Sequence, residues 1–150
     1  MLKSTFVGAA ALMLTAGAAA ADEWEAIAIS DSAVMAVDWS SMRINGSVRQ
    51  INTALVAVRP EPGQFDWATS LIDIDCSQMR YKTVRSSFFY IDGSSASDDF
   101  VGDGSWTAIN PGALMDDVRG QVCAASTGKQ GYFDDPLTFA VNARRVMQDQ

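Results

Sequence analysis

Hydrophobic and polar positions alternate along much of the chain with the period of two that marks β-strands. The clearest case is Ile72-Asp73-Ile74-Asp75-Cys76, where Ile72, Ile74 and Cys76 face one way and the two aspartates the other. Trp24–Ile29 reads as a short apolar strand, Asp31-Ser32 as a turn, and Ala33–Trp39 as a second strand. Asn45-Gly46 lies between Ser41–Ile44 and a run from Ser47 to Val58, with Val48, Ala54, Val56 and Val58 at even positions. Both turn residues tolerate positive φ, so the pair predicts a type I′ hairpin. The breaker cluster Arg59-Pro60-Glu61-Pro62-Gly63 predicts a loop, and strand patterning resumes at Trp67. Arg80–Ile91, with Tyr81, Val84, Phe88, Phe89 and Tyr90, has the propensity of an antiparallel neighbour to that strand.

The pattern then changes. Asp92–Gly104 is rich in Gly, Ser and Asp and predicts a mobile loop, followed by a short extended piece at Ser105–Ile109. Asn110-Pro111 has the cap-then-proline form of a helix start, and Leu114 or Met115, Val118, Val122 and Cys123 fall on one helical stripe. Asp135-Pro136 repeats the signal and predicts a closing helix over 136–148. Strands followed by helices give an α+β fold class: an antiparallel meander of about five to six strands with one or two C-terminal helices on one face.

The first 21 residues change the setting. Lys3, an apolar stretch from Phe6 to Leu14, and Ala19-Ala20-Ala21 before Asp22-Glu23 have the layout of a secretory signal peptide, residues 1–21. Residues 22–150 then form a single domain outside the cytoplasm. In an oxidising compartment the two cysteines, Cys76 and Cys123, are expected to pair and to staple a helix to the sheet. No later apolar run approaches the roughly 20 residues of a spanning helix, so no transmembrane segment is expected.

Charge and composition narrow the chemistry. The chain carries 11 Lys and Arg against 18 Asp and Glu, a net charge of −7, and the leader contributes only Lys3. Such a balance repels nucleic acid unless a basic patch overrides it, and Arg80, Lys82 and Arg85 are spaced rather than massed. Histidine is absent, which removes Ser-His-Asp and Cys-His nucleophile systems and the usual zinc sites. No cofactor is implied.

The ordering of Trp24, "AVDWSSMRING", a strand ending in "DIDC", "SWTAINPG" and a helix carrying "QVC" resembles the bacterial surface-adhesin protein E family, over about residues 24–124. That resemblance implies an antiparallel sheet of about six strands on a helix, bridged cysteines, and an origin in a Gram-negative envelope. It also implies a binding module rather than an enzyme, in the periplasm or on the outer surface, with a protein or peptide as partner.

Candidate site residues follow from residue type. Tyr81, Lys82, Arg85, Phe88 and Tyr90 mix cations with aromatics on a strand expected to be accessible, able to bind by side chains or by edge pairing. Most of the tryptophans, Trp24, Trp39, Trp67 and Trp106, read as core or sheet-edge packing; if one is exposed as a binding platform, it is Trp67, after the proline-rich loop. Asp98, Asp99 and Asp103 are a weak Ca²⁺ candidate without EF-hand spacing, against the alternative of a solvated acidic loop. Asp73 and Asp75 share a strand face, which suits either carboxylate-based hydrolysis or simple solubility. A small-molecule carrier is the other alternative, with an apolar cavity lined by Val56, Ile72 and Phe88.

Overall fold

The computed structural model describes residues 21–149, and the predicted leader lies outside the described residues apart from Ala21. The elements run β1 (Trp24–Ile29), β2 (Ala33–Asn45), β3 (Val48–Ala57), β4 (Trp67–Asp75), β5 (Arg80–Phe89), β6 (Phe100–Val101), β7 (Thr107–Ala108), α1 (Leu114–Ala124) and α2 (Pro136–Gln148). β1 to β6 lie side by side in chain order and β7 also pairs with β5, every pairing antiparallel. The α+β meander with C-terminal helices is present. So is the staple: Cys76, just past β4, is bonded to Cys123 on α1, with the Cα atoms 5.7 Å apart.

The helices do not share a face. Val118 and Val122 of α1 pack on Val37, Trp39, Ile51, Ile72 and Ile74, whereas Phe139 and Ala140 of α2 pack on Val34, Ala36, Ala54, Val56 and Trp67. Val37 and Trp39 alternate with Val34 and Ala36 along β2, so the two cores lie on opposite sides of the sheet. They also lie toward opposite ends. α1 sits near the β2–β3 hairpin and α2 near the β3–β4 loop, each leaving half of its own face without a helix. Arg144 anchors α2 by donating to Asp66 Oδ1 at 2.8 Å and to the carbonyls of Ala57 and Asp66 at 3.0 and 3.1 Å.

Three local expectations need correction. Asn45 pairs with Val48, so the turn residues are Gly46-Ser47, and only Gly46 takes positive φ (59°). Glycine at the first central position is the type II′ pattern, and the register that sets Ile51 opposite Ile72 in the core decides it. α1 begins at Leu114 rather than at Asn110-Pro111, with Ala113 as its N-cap and no side-chain cap. Buried Ile109 is tied to the Met79 carbonyl and Gly112 adopts φ 77°, so this stretch turns before the helix can start. Asp92–Gly104 is laid along β5 rather than free: Tyr90, Ala96 and Gly102 N–H groups bond the carbonyls of Ser94, Phe88 and Val84. A Cβ at Gly102 would collide with the Thr83 carbonyl, which explains glycine there.

Candidate binding surface

On the α2 side, the half of the sheet beyond α2 is polar and carries no helix. β4 places Asp75, Asp73 and Leu71 there, and β5 sets Arg80, Lys82 and Arg85 directly opposite them in that order. Two of the three positions are complete ion pairs. Arg80 lies 3.1 Å from Asp75, and Lys82 lies 3.3 Å from Asp73, which also accepts a 2.8 Å bond from Gln50. Trp106 stacks under both cations, 4.7 Å from the Arg80 guanidinium and 4.9 Å from the Lys82 ammonium. The third position is broken: Arg85 faces Leu71. Among the described residues the ion pairs engage Arg80, Lys82, Arg119 and Arg144, and Arg85 stays exposed and unpaired.

A bulge sets this geometry. Lys82 and Arg85 are three residues apart, and strict alternation would send them to opposite faces. The register passes from Ile72–Thr83 to Leu71–Arg85, so Val84 is an extra residue and Arg85 is turned back to the face of Lys82. Arg85 then overhangs a groove of about 320 Å³ lined by Trp24, Asn52, Thr69, Leu71, Ser87 and Asp99, among others.

The sequence-predicted binding residues therefore do not form one surface. Lys82 and Arg85 share the polar half-face. Tyr81 and Phe88 lie in register with Ile74 and Ala68 on the α1 side, where Phe88 packs on Phe65 with ring centroids 4.9 Å apart. Tyr90 is exposed just past the end of β5. Trp67 is only 4% exposed, stacked on Phe89 with its indole N–H donated to the Tyr90 carbonyl, so it packs as most of the tryptophans were expected to and is no exposed platform. Trp24 and Trp39 are buried as well, and Trp106 is half-buried. Edge pairing along β5 is closed, because β6, β7 and the segment between them occupy that edge.

The acidic candidates resolve differently. Asp75 is 4% exposed; the Ser77 hydroxyl, 2.7 Å away, leads in holding its carboxyl below the ordinary value against the opposing effect of burial, with Arg80 and Ser47 adding to it. A carboxyl kept ionised in this way is unsuited to donate a proton, and Asp73 is committed to Lys82 and Gln50. Asp98, Asp99 and Asp103 are all exposed, and among the described residues no three His, Cys, Asp or Glu side chains gather closely enough to hold a metal ion. Val56 and Ile72 belong to opposite cores, so no single cavity is lined by both. An open cleft of about 380 Å³ does exist on the α1 side, lined by residues including Met35, Leu55, Ile72, Tyr81, Leu114 and Met115.

The lowered carboxyls predict an acid-limited stability. Asp75, Asp116 (through Arg119) and Asp135 (through the Thr138 hydroxyl) all lie below the ordinary 3.8 when folded. As pH falls past that value the unfolded chain takes up protons that the native chain still refuses. Their contribution is thus complete above the ordinary range and is lost as pH drops through the native values. The urea midpoint should be lower near about pH 3 than near about pH 6; equal midpoints would contradict these assignments.

No protein-family model matches the chain, and neither does any curated protein. Among solved structures it is similar to that of Haemophilus influenzae protein E, with 13% identity, 68% of this chain and 84% of that chain covered, and a TM-score of 0.47. The functional reading rests on the residues of this chain. Among the described residues no helix is long and apolar enough to cross a membrane.

Proposed function

We propose that this chain is an exported, adhesin-like envelope domain, residues 22–150 after removal of the leader, that binds a protein or peptide partner and is not an enzyme. The observation that carries the binding reading is the interrupted ladder: two cations on the polar half-face are neutralised by carboxylates of the same sheet, while Arg85 is left free above a polar groove. A lone unpaired guanidinium beside amide and hydroxyl groups serves recognition better than catalysis, since it offers directional donors but no proton to exchange. The disulfide supports an oxidising location.

The experiment is protease treatment of intact cells, followed by intact-mass measurement of what remains. The expected protein begins at Asp22 with its cysteines oxidised. Loss on protease treatment favours the outer surface, and protection until the outer membrane is opened favours the periplasm. A full-length, reduced, cytoplasmic chain would overturn export.

A second reading, a carrier of an apolar small molecule, is favoured by the α1-side cleft. It predicts a co-purifying ligand in native mass spectrometry that is lost on Leu55→Asp; an empty protein that takes up no apolar dye would end it.

A further inference from the structure

We propose, building on the peptide-binding reading above, that Arg85 is the receptor for the carboxylate of an Asp or Glu side chain in an extended peptide. The ladder itself defines the missing partner. At the first two rungs β4 supplies a carboxylate to the cation of β5; at the third it supplies Leu71, and among the described residues no carboxylate, Asp99 on the groove rim included, is ion-paired with Arg85, which leaves the guanidinium available to one from outside. The Val84 bulge argues that this position is built: without it, Arg85 would leave the face carrying the groove.

The surroundings choose the ligand class. The groove crosses from Trp24 on β1 to Arg85 on β5, four strand spacings or roughly 19 Å, which suits a chain segment rather than a compact ion. Asn52, Thr69 and Ser87 line it with amide and hydroxyl groups of the kind that bond peptide N–H and C=O. Asp99 on the rim and the net charge of −7 disfavour a polyanion or a dianionic phosphate, whereas one guanidinium balances one carboxylate in a bidentate pair.

The test is an amide NMR titration of the ¹⁵N-labelled, oxidised mature protein at low salt with an acetylated, amidated Thr-Thr-Glu-Thr-Thr peptide and its glutamine counterpart. The glutamate peptide should shift the amides of residues 69–71 and 85–87 and bind about tenfold or more tightly than the glutamine peptide, weakening as salt is added. Arg85→Gln should remove that preference. Leu71→Asp should do the same while keeping the arginine, because it completes the third rung from within. Both variants should keep a dispersed spectrum, the first because position 85 is exposed.

Equal binding of the two peptides would overturn the carboxylate assignment and leave peptide binding standing. No shift with either peptide, or a glutamate preference that survives Arg85→Gln and Leu71→Asp, would overturn the inference outright. Binding of a glucuronate oligosaccharide in place of the peptide would also overturn it.

Discussion

Replacing Cys76 and Cys123 together with alanine lowers the unfolding free energy by about 2–4 kcal/mol. The bridge joins residues 47 apart and ties the start of the β4–β5 turn to the last turn of α1. Without it the unfolded chain regains the freedom of that loop, for which the chain-entropy account gives roughly 4 kcal/mol. The folded side loses too. α1 buries few side chains fully, Val118 and Val122 among them, and it has no side-chain N-cap. Urea unfolding of the oxidised protein, the reduced protein and the double variant checks this. The last two should coincide at a lower midpoint, and a midpoint equal to that of the oxidised protein would show that the staple contributes nothing.

Phe139→Ala is the second large effect, about 3–5 kcal/mol. The ring is 1% exposed, sits edge-on to Phe133 at 5.7 Å, and fills the α2 core over Val34, Ala36, Ala54, Val56 and Trp67. Val141→Ala, two residues away on the exposed side of α2, should change stability by less than about 0.5 kcal/mol. Urea midpoints measure both. Hydrogen exchange in Phe139→Ala should show α2 losing protection before the β2–β3 pairing does. Equal costs for the two variants would mean that α2 does not rest on the sheet as described.

Much of the fold is legible in residue order because its signals are local. Ile72, Ile74 and Cys76 announce both the strand and its buried side, and Asp135-Pro136 marks a helix start that the structure keeps, with Asp135 capping the Thr138 N–H. The opposed helices were missed, since the order of elements set both on one face; the signal against it lay in β2, where Val34 and Ala36 alternate with Val37 and Trp39, so that the strand is apolar on both sides and needs cover on both. The turn at Gly46-Ser47 was not legible, since tertiary register and not dipeptide preference sets which two residues turn.

The candidate site is harder to read for the same reason. Asp73 and Asp75, and Arg80, Lys82 and Arg85, are visible as separate groups; only pairing them across β4 and β5 leaves one cation over. That pairing hinges on Val84, a β-branched residue with nothing in its identity to mark a bulge. Trp67, the candidate platform if any tryptophan were exposed, is drawn inward by Phe89 and by a carbonyl acceptor for its indole N–H.

Site-directed photo-crosslinking in intact cells tests the central claim most directly. A benzophenone side chain at Ser87, in the groove, should yield a discrete protein adduct that disappears with Arg85→Gln. The same group at exposed Gln121 on α1 should yield none. Adducts of equal yield from both positions, or from neither, would contradict a binding surface on the polar half of the sheet.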